Sequence, residues 1–342
     1  MTEYLERLCQ LNGTSGREEQ VRAFILEQLS GKAEVTVDPL GNILAFVRGS
    51  QRAKKTVMLS AHMDEVGFII TYITDDGYLK FSPVGGIDNK VIVGRAVTVG
   101  EQGIPGVIGI KAIHLTEKSD SGKVPEVDSL YIDIGAADKA EAERFVAIGD
   151  AAYFVSDFKR MGAHKIKAKA IDDRFGCALL LDLIRNGVSH DAWFCFLTQE
   201  EIGLRGAGVA AYRVRPDYAI VLEATTAADV AGVSEADCVC RQGAGAVVSF
   251  MDRRTVYDRA LFCHAFSLAQ QRGIACQTKT TVAGGNDAGA IHQSGGGVRT
   301  IAVSLPCRYI HSATSVADER DMESCRALAQ ALLTCYADDE IG

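Results

Sequence analysis

The sequence predicts a mixed-sheet α/β/α domain interrupted by an inserted β-rich, barrel-like domain. Three observations carry this. Short runs of Val, Ile, Leu and Phe alternate with helical patterns early in the chain and again through its second half. Between them lies a stretch of many short strands separated by glycine turns. The apolar runs on either side of that stretch stop at histidine or acidic residues, where open α/β sheets place their ligands. The 342 residues therefore divide into an α/β domain, 1–65 and 158–342, and an insert, 66–157.

In order, Ser15-Gly-Arg-Glu18 has the spacing of a capping box. It precedes Val21, Phe24, Ile25 and Leu29, the apolar stripe of an amphipathic helix. The turn Asp38-Pro-Leu-Gly41-Asn42 between Val35-Thr-Val37 and Ile43–Val47 predicts a hairpin. Thr56–Leu59 reads as a buried strand running into Ser60-Ala61-His62-Met63-Asp64-Glu65-Val66-Gly67. Extended backbone would put His62 and Asp64 on one side. Alternatively, the Asp64 carboxylate orients the imidazole from behind. A lone histidine at a strand end is commonly structural, so His62 carries weight only with company.

The insert is read from Phe68–Ile73, Tyr78–Phe81, Val91-Ile-Val93, Ala96–Val99, Val107–Ile110, Leu130–Ile134 and Ala151–Val155 as strands. Lys118–Pro125 is its most polar, loop-like piece, and a short helix is expected near Ala140–Val146. No candidate ligand cluster falls inside it.

The α/β texture resumes with Lys165–Ala170, an alternating strand, then Ile171-Asp172-Asp173-Arg174-Phe-Gly176 and a helix stopped by Asn186-Gly187. Five apolar residues in Trp193–Thr198 suit a buried strand, and it halts at Gln199-Glu200-Glu201-Ile-Gly203. Tyr218–Leu222 runs into Glu223. Asp258–Arg272 is a helix capped by Gly273, Ile274–Cys276 a strand, and Gly284-Gly-Asn286-Asp287 a glycine turn with one more carboxylate. Thr300–Leu305 leads to Arg308-Tyr-Ile-His311-Ser312, and the last helix carries Met322, Cys325, Ala329 and Leu332.

Composition narrows the function. A net charge of −8 and the lack of a basic aromatic cluster argue against nucleic acid as partner. No apolar run approaches the length that spans a membrane. The charged start, Met1-Thr-Glu-Tyr-Leu-Glu-Arg-Leu, is not that of a signal peptide, which implies a cytoplasmic protein whose ten cysteines are free thiols. Cys238 and Cys240 form a lone C-x-C with no second pair and are read as packing residues.

An acidic turn such as Glu200-Glu201 is by itself ordinary. Five separate elements, however, bring His62, Asp172, Glu200 with Glu201, Glu223 and His311 to strand or helix ends. Two histidines with several carboxylates suit a two-metal site, one acid being shared between the ions. A nucleophile triad fits worse, because the chain has no G-x-S-x-G.

At these residues the sequence resembles the TET-type aminopeptidases, the family of glutamyl and deblocking aminopeptidases. The matching motifs are Ala61-His62-Met-Asp64-Glu65-Val66-Gly67, Ala170-Ile-Asp172-Asp173-Arg174-Phe-Gly176, Gln199-Glu200-Glu201-Ile-Gly203-Leu-Arg-Gly206-Ala207 and Arg308-Tyr-Ile-His311-Ser312. Their order and spacing match over nearly the whole chain, as does the position of the insert. The resemblance implies a dinuclear metallopeptidase whose inserted domain mediates oligomerisation, from a dimer up to a hollow tetrahedral dodecamer. It further implies Asp172 as the bridging ligand, with a cis peptide to Asp173. His62 and Glu223 would complete one site, and Glu201 and His311 the other. Glu200 would be the general base and Asp64 the residue that orients His62. Glu223 stands where many relatives carry aspartate, and Asn286 replaces the usual threonine on what should be the substrate side.

The expected function is thus release of N-terminal residues from short peptides with two divalent ions, Zn²⁺, Co²⁺ or Mn²⁺; this donor set does not choose among them. A related deacylase, or a metal-binding assembly protein without activity, are the alternatives.

Overall fold

The amphipathic stretches at the start fold as α1 (Thr2–Gln10) and α2 (Glu19–Leu29), followed by the hairpin β1 (Glu34–Val37) and β2 (Ile43–Val47) and then β3 (Val57–His62). The glycine-rich stretch forms β4 (Gly67–Ile73), β5 (Leu79–Val84), β6 (Ala96–Val99), β7 (Ile104–Ile110), β8 (Leu130–Asp133), α3 (Lys139–Ala142) and β9 (Ala151–Phe154). Next come β10 (Lys159–Met161), β11 (Lys165–Ala168), α4 (Ile171–Asn186), β12 (Ala192–Leu197), α5 (Arg205–Val214) and β13 (Tyr218–Thr226). The chain closes with β14 (Ala246–Val248), α6 (Arg259–Arg272), β15 (Cys276–Thr278), α7 (Ala288–Ile291), β16 (Arg299–Arg308), β17 (Ser315–Asp318) and α8 (Glu319–Ala337). This is a computed structural model, and it describes residues 1–115 and 122–341. Half of the polar piece expected at Lys118–Pro125, residues 118–121, lies outside those residues.

Strand parity explains the layers. Successive side chains of a strand point to opposite faces. Val57, Leu59, Phe194, Phe196, Ile220 and Leu222 pack with α1, α2, α4, α6 and α8 on one face. Their neighbours Met58, Cys195, Leu197, Ala219 and Val221 pack under α5 and α7 on the other. Both faces are covered, so the strands read as continuous apolar runs. The sheet runs β1-β2-β12-β3-β13-β16-β17-β11-β10, with β14 paired to β16 and β15 to β14. Its core, β12, β3, β13 and β16, is parallel, while β2 and β17 pair antiparallel. The carboxyl ends of the four parallel strands therefore share one edge.

The insert is a closed barrel, β4-β5-β8-β7-β6-β9, around Phe68, Phe81, Val97, Ile108, Ile132 and Phe154. Closure removes the exposed edges that an open antiparallel sheet would present. Ala313, from the other end of the sequence, packs into the same core.

Several expectations are corrected. Val91-Ile-Val93 is not a strand. Asn89–Val91 is a 3-10 turn capped by the Asp88 carboxylate, which accepts from Lys90 N at 2.9 Å. Val91 and Val93 are half-buried against the barrel core. Ser15-Gly-Arg-Glu18 is not a capping box, because α2 has no side-chain cap. Ser15 Oγ instead donates to Asp64 Oδ2 at 2.6 Å. Glu223 is not at a strand end but inside β13, opposite Ser304 of β16. The strand expected at Ile274–Cys276 is displaced to Cys276–Thr278, and helix α1 had no counterpart in the reading of the sequence.

Candidate metal centre

β3 carries His62 to the sheet's carboxyl edge, and β12 ends at Leu197, three positions before Glu200 and four before Glu201. Asp64, fully buried, ties these elements together. Its carboxylate accepts from Glu200 N at 3.0 Å through Oδ1 and from Glu201 N at 3.1 Å through Oδ2. Oδ1 also lies 3.4 Å from His62 Nδ1, and the Asp64 carbonyl is 3.1 Å from the same nitrogen. Asp64 therefore orients the imidazole and fixes the acidic turn. Its pKa is lowered: burial alone would raise it, but His62, Ser15 and the backbone donors outweigh burial.

Asp172 and Asp173, joined by a cis peptide, divide their work. Asp173 faces inward and accepts from His62 N at 3.1 Å and from Gly176 N at 2.8 Å. A Cβ at Gly176 would lie 2.5 Å from an Asp173 oxygen, which is why glycine sits there. Asp172 faces the pocket. Its Oδ1 is 3.5 Å from His62 Nε2 and its Oδ2 3.4 Å from His311 Nε2. His311 Nε2 is also 3.4 Å from Glu201 Oε1. One ligand atom each from His62, Asp172 and Glu201 lie within 4.8 Å of one another.

Glu223 lines the same pocket as His62, Asp172, Glu200 and His311. Its Oε1 accepts from Ser304 Oγ at 2.7 Å and from Asn286 Nδ2 at 3.0 Å.

Four further participants lie outside the residues that the sequence pattern assigns to the site. His311 Nδ1 lies 2.8 Å from the carbonyl of Gly86, which belongs to the barrel. Glu18 Oε1 accepts from Gln199 N at 3.2 Å and steadies the turn before Glu200. Lys279 lines the pocket. Asp287 is buried with Oδ1 unpartnered. The only hint for Gly86 was its place in a Gly-Gly pair, and Glu18 was disguised by its capping-box spacing.

The donor set fits a divalent cation. Both histidines have Nδ1 occupied, one at Asp64 and the other at Gly86, so each presents Nε2 to the shared Asp172. Burial pushes Glu201 and Glu223 up to about 7. Burial opposes charge on His311, yet Asp172 and Glu201 raise it to about 9. Protons on these groups thus balance a crowd of carboxylates that a metal would otherwise balance.

Comparison with known proteins decides the family. Residues 41–328 match the model of the M42 glutamyl aminopeptidases. The chain belongs to that family. A lysyl aminopeptidase of Pyrococcus furiosus is 32% identical over 97% of this chain and 96% of its own. An aminopeptidase from the archaeon Desulfurococcus kamchatkensis superposes with a TM-score of 0.92 at 32% identity, covering 99% of this chain and 97% of that one. The TET1 peptidase of Pyrococcus horikoshii superposes with a TM-score of 0.85 at 34% identity, over 97% and 98% of the two chains. That peptidase assembles into a tetrahedron or a large octahedral shell. As an M42 protein the chain is a metal-dependent aminopeptidase, a hydrolase. The sandwich with its inserted barrel is the fold that the TET-type resemblance implied. Among its described residues no helix is long and apolar enough to cross a membrane.

Proposed function

We propose that this M42 protein releases N-terminal residues from short peptides, with His62, Asp172, Glu201, Glu223 and His311 holding two divalent ions and Glu200 as the general base. The observation that carries this is the presentation of two Nε2 atoms to one shared carboxylate, with Glu200 in the same pocket. When bound, Zn²⁺, Co²⁺ or Mn²⁺ would supply an activated water and polarise the scissile carbonyl. Glu200 takes the proton from the attacking water and returns it to the leaving amine. Asp64 holds the Glu200 and Glu201 amides in place throughout. The carboxylates of Asp172, Glu200 and Glu223 on the pocket wall suit a substrate with a free, positively charged α-amino group.

Lys279 narrows the side chain accepted. It is buried, and its Nζ donates to the Ala283 carbonyl at 2.8 Å. No carboxylate of the described residues pairs with it at ion-pair distance. A desolvated ammonium on the pocket wall attracts an acidic N-terminal residue and repels a basic one.

One panel of peptides tests the proposal. Matched peptides with free and acetylated N-termini, beginning with Glu, Leu or Lys, should be cleaved only when free, fastest with Glu and slowest with Lys. Exhaustive removal of metal should abolish the activity, and Zn²⁺ or Co²⁺ should restore it. Lys279→Glu should reverse the Glu-over-Lys order. Preference for acetylated peptides would make the chain a deacylase. Full activity without metal would sink the metal reading, and an unchanged order in Lys279→Glu would clear Lys279 of selectivity.

The barrel leaves Val107, Ile110 and Val155 exposed. With the assembly of the Pyrococcus horikoshii relative, this supports a homo-oligomer built through the barrel. Light scattering should show at least a dimer, weakened by Val107→Lys. A monomer at every concentration overturns the assembly. Val91 and Val93 are unsuitable for this test, because lysine there would disturb the barrel core.

A further inference from the structure

We infer that Asn286 is a positioning residue that turns Glu223 into a one-oxygen metal ligand. This rests on the reading of Glu223 as a ligand. Glutamate is one methylene longer than aspartate, so its carboxylate has an extra torsion to fix before it serves a metal. The structure shows what fixes it. Oε1 accepts from Ser304 Oγ at 2.7 Å and from Asn286 Nδ2 at 3.0 Å, which uses both of its lone pairs. Oε2 has no hydrogen-bond partner among the described residues, and Glu223 lines the pocket. Oε2 is therefore the oxygen left to meet a cation.

The orientation of the Asn286 amide is dictated by its own neighbours. Oδ1 accepts from Ala288 N at 2.8 Å, so a flipped amide would set its NH₂ against an N–H. Nδ2 then faces Glu223 and the Tyr257 hydroxyl, which is 2.9 Å away. Tyr257 in turn donates to Asp252 Oδ2 at 2.7 Å. Asp252 Oδ1 is held by the amides of Arg254 at 2.7 Å and Thr255 at 2.8 Å. Asn286, Tyr257 and Asp252 are all buried. Donation thus runs outward from the Asn286 amide, to Glu223 on one side and through Tyr257 to Asp252 on the other, and the amides of Arg254 and Thr255 anchor Asp252. Asn286 acts on the carboxylate that holds the ion, not on the substrate side where the family pattern would put it.

The experiment measures zinc affinity by competition with a fluorescent chelator, which needs no turnover. Asn286→Ala should weaken zinc by ~10–100-fold, the usual cost of losing a residue that orients a metal ligand. Tyr257→Phe, which removes one hydroxyl and keeps the ring, should weaken it by a smaller factor and guards against a misfolded Asn286→Ala. Glu223→Ala alone should also weaken zinc, and adding Asn286→Ala to it should change affinity by less than about twofold, since coupled residues are not additive. Unaltered zinc affinity in Glu223→Ala would reject the ligand reading. A weakened Glu223→Ala beside an unaffected Asn286→Ala, or an equal loss from Asn286→Ala in both backgrounds, would reject the positioning role alone.

Discussion

Replacing Glu200 by glutamine should lower turnover by roughly 10²–10⁴-fold, the range for a positioned general acid–base group, with metal content and fold unchanged. The substitution is nearly isosteric, and the backbone bond from Glu200 N to Asp64 remains. No hydrogen bond holds the Glu200 carboxylate among the described residues, so nothing structural is lost. Only its capacity to take a proton goes. Burial is the largest influence on that carboxylate; His62 opposes it, Asp287 and Glu201 reinforce it, and the pKa stands well above the ordinary value. A raised pKa makes the carboxylate a stronger base than an ordinary glutamate, which suits a residue that must take a proton and return it. Saturating kinetics beside metal analysis and circular dichroism give the answer. Near-normal turnover in Glu200→Gln would remove this residue from the chemistry.

Glu65→Ala should cost about 3–5 kcal/mol of stability, the scale for breaking a buried ion pair from one side. Glu65 Oε1 accepts from Lys169 Nζ at 2.7 Å and from Gly13 N at 3.2 Å, with Arg174 3.5 Å away. All three ionic side chains are nearly excluded from solvent. Alanine would strand two buried cations. Burial already lowers the Lys169 pKa, while Glu65 works to raise it. Without Glu65 the folded-state pKa falls further below the unfolded value, so the unfolded chain binds the extra proton. Stability of the variant should therefore rise with pH across that window, the loss being worst on the acid side. Urea denaturation at several pH values measures this, and a cost under about 1 kcal/mol would show that the pair is dispensable.

Glu65 also shows what the sequence hides. It sits in the same motif as His62 and Asp64, yet its carboxylate is taken up by Lys169 and Arg174. Sequence spacing grouped these residues without sorting those that face a ligand from those that brace the wall. The central strands were legible because burial on both faces leaves uninterrupted apolar runs. Glu223 was misplaced for the same reason: a charge after five apolar residues looks like an end, whereas β13 continues through it for three more. Val91-Ile-Val93 carried strand-like residues, but the Asp88 cap and the tight turn at Gly94 overrode their preference. The Gly86 contact was beyond reach, since its partner lies 225 positions away and the interacting atom is a backbone carbonyl, which every residue has.

That carbonyl makes the barrel part of the centre rather than an appendage to it. Gly85 presses close as well: with φ at +86°, its added Cβ would lie 3.2 Å from Glu201 Cβ. On the proposed reading, His311 and Glu201 as ligands are thus braced by the same unit whose outer strands would meet other copies. Thermodynamic reciprocity then binds the two ends of the barrel together. Whatever subunit contact shifts β5 and the turn after it alters the acceptor of His311, and an ion held by His311 favours the barrel position in which that contact forms. On that reading, assembly and metal loading would be two readings of one equilibrium.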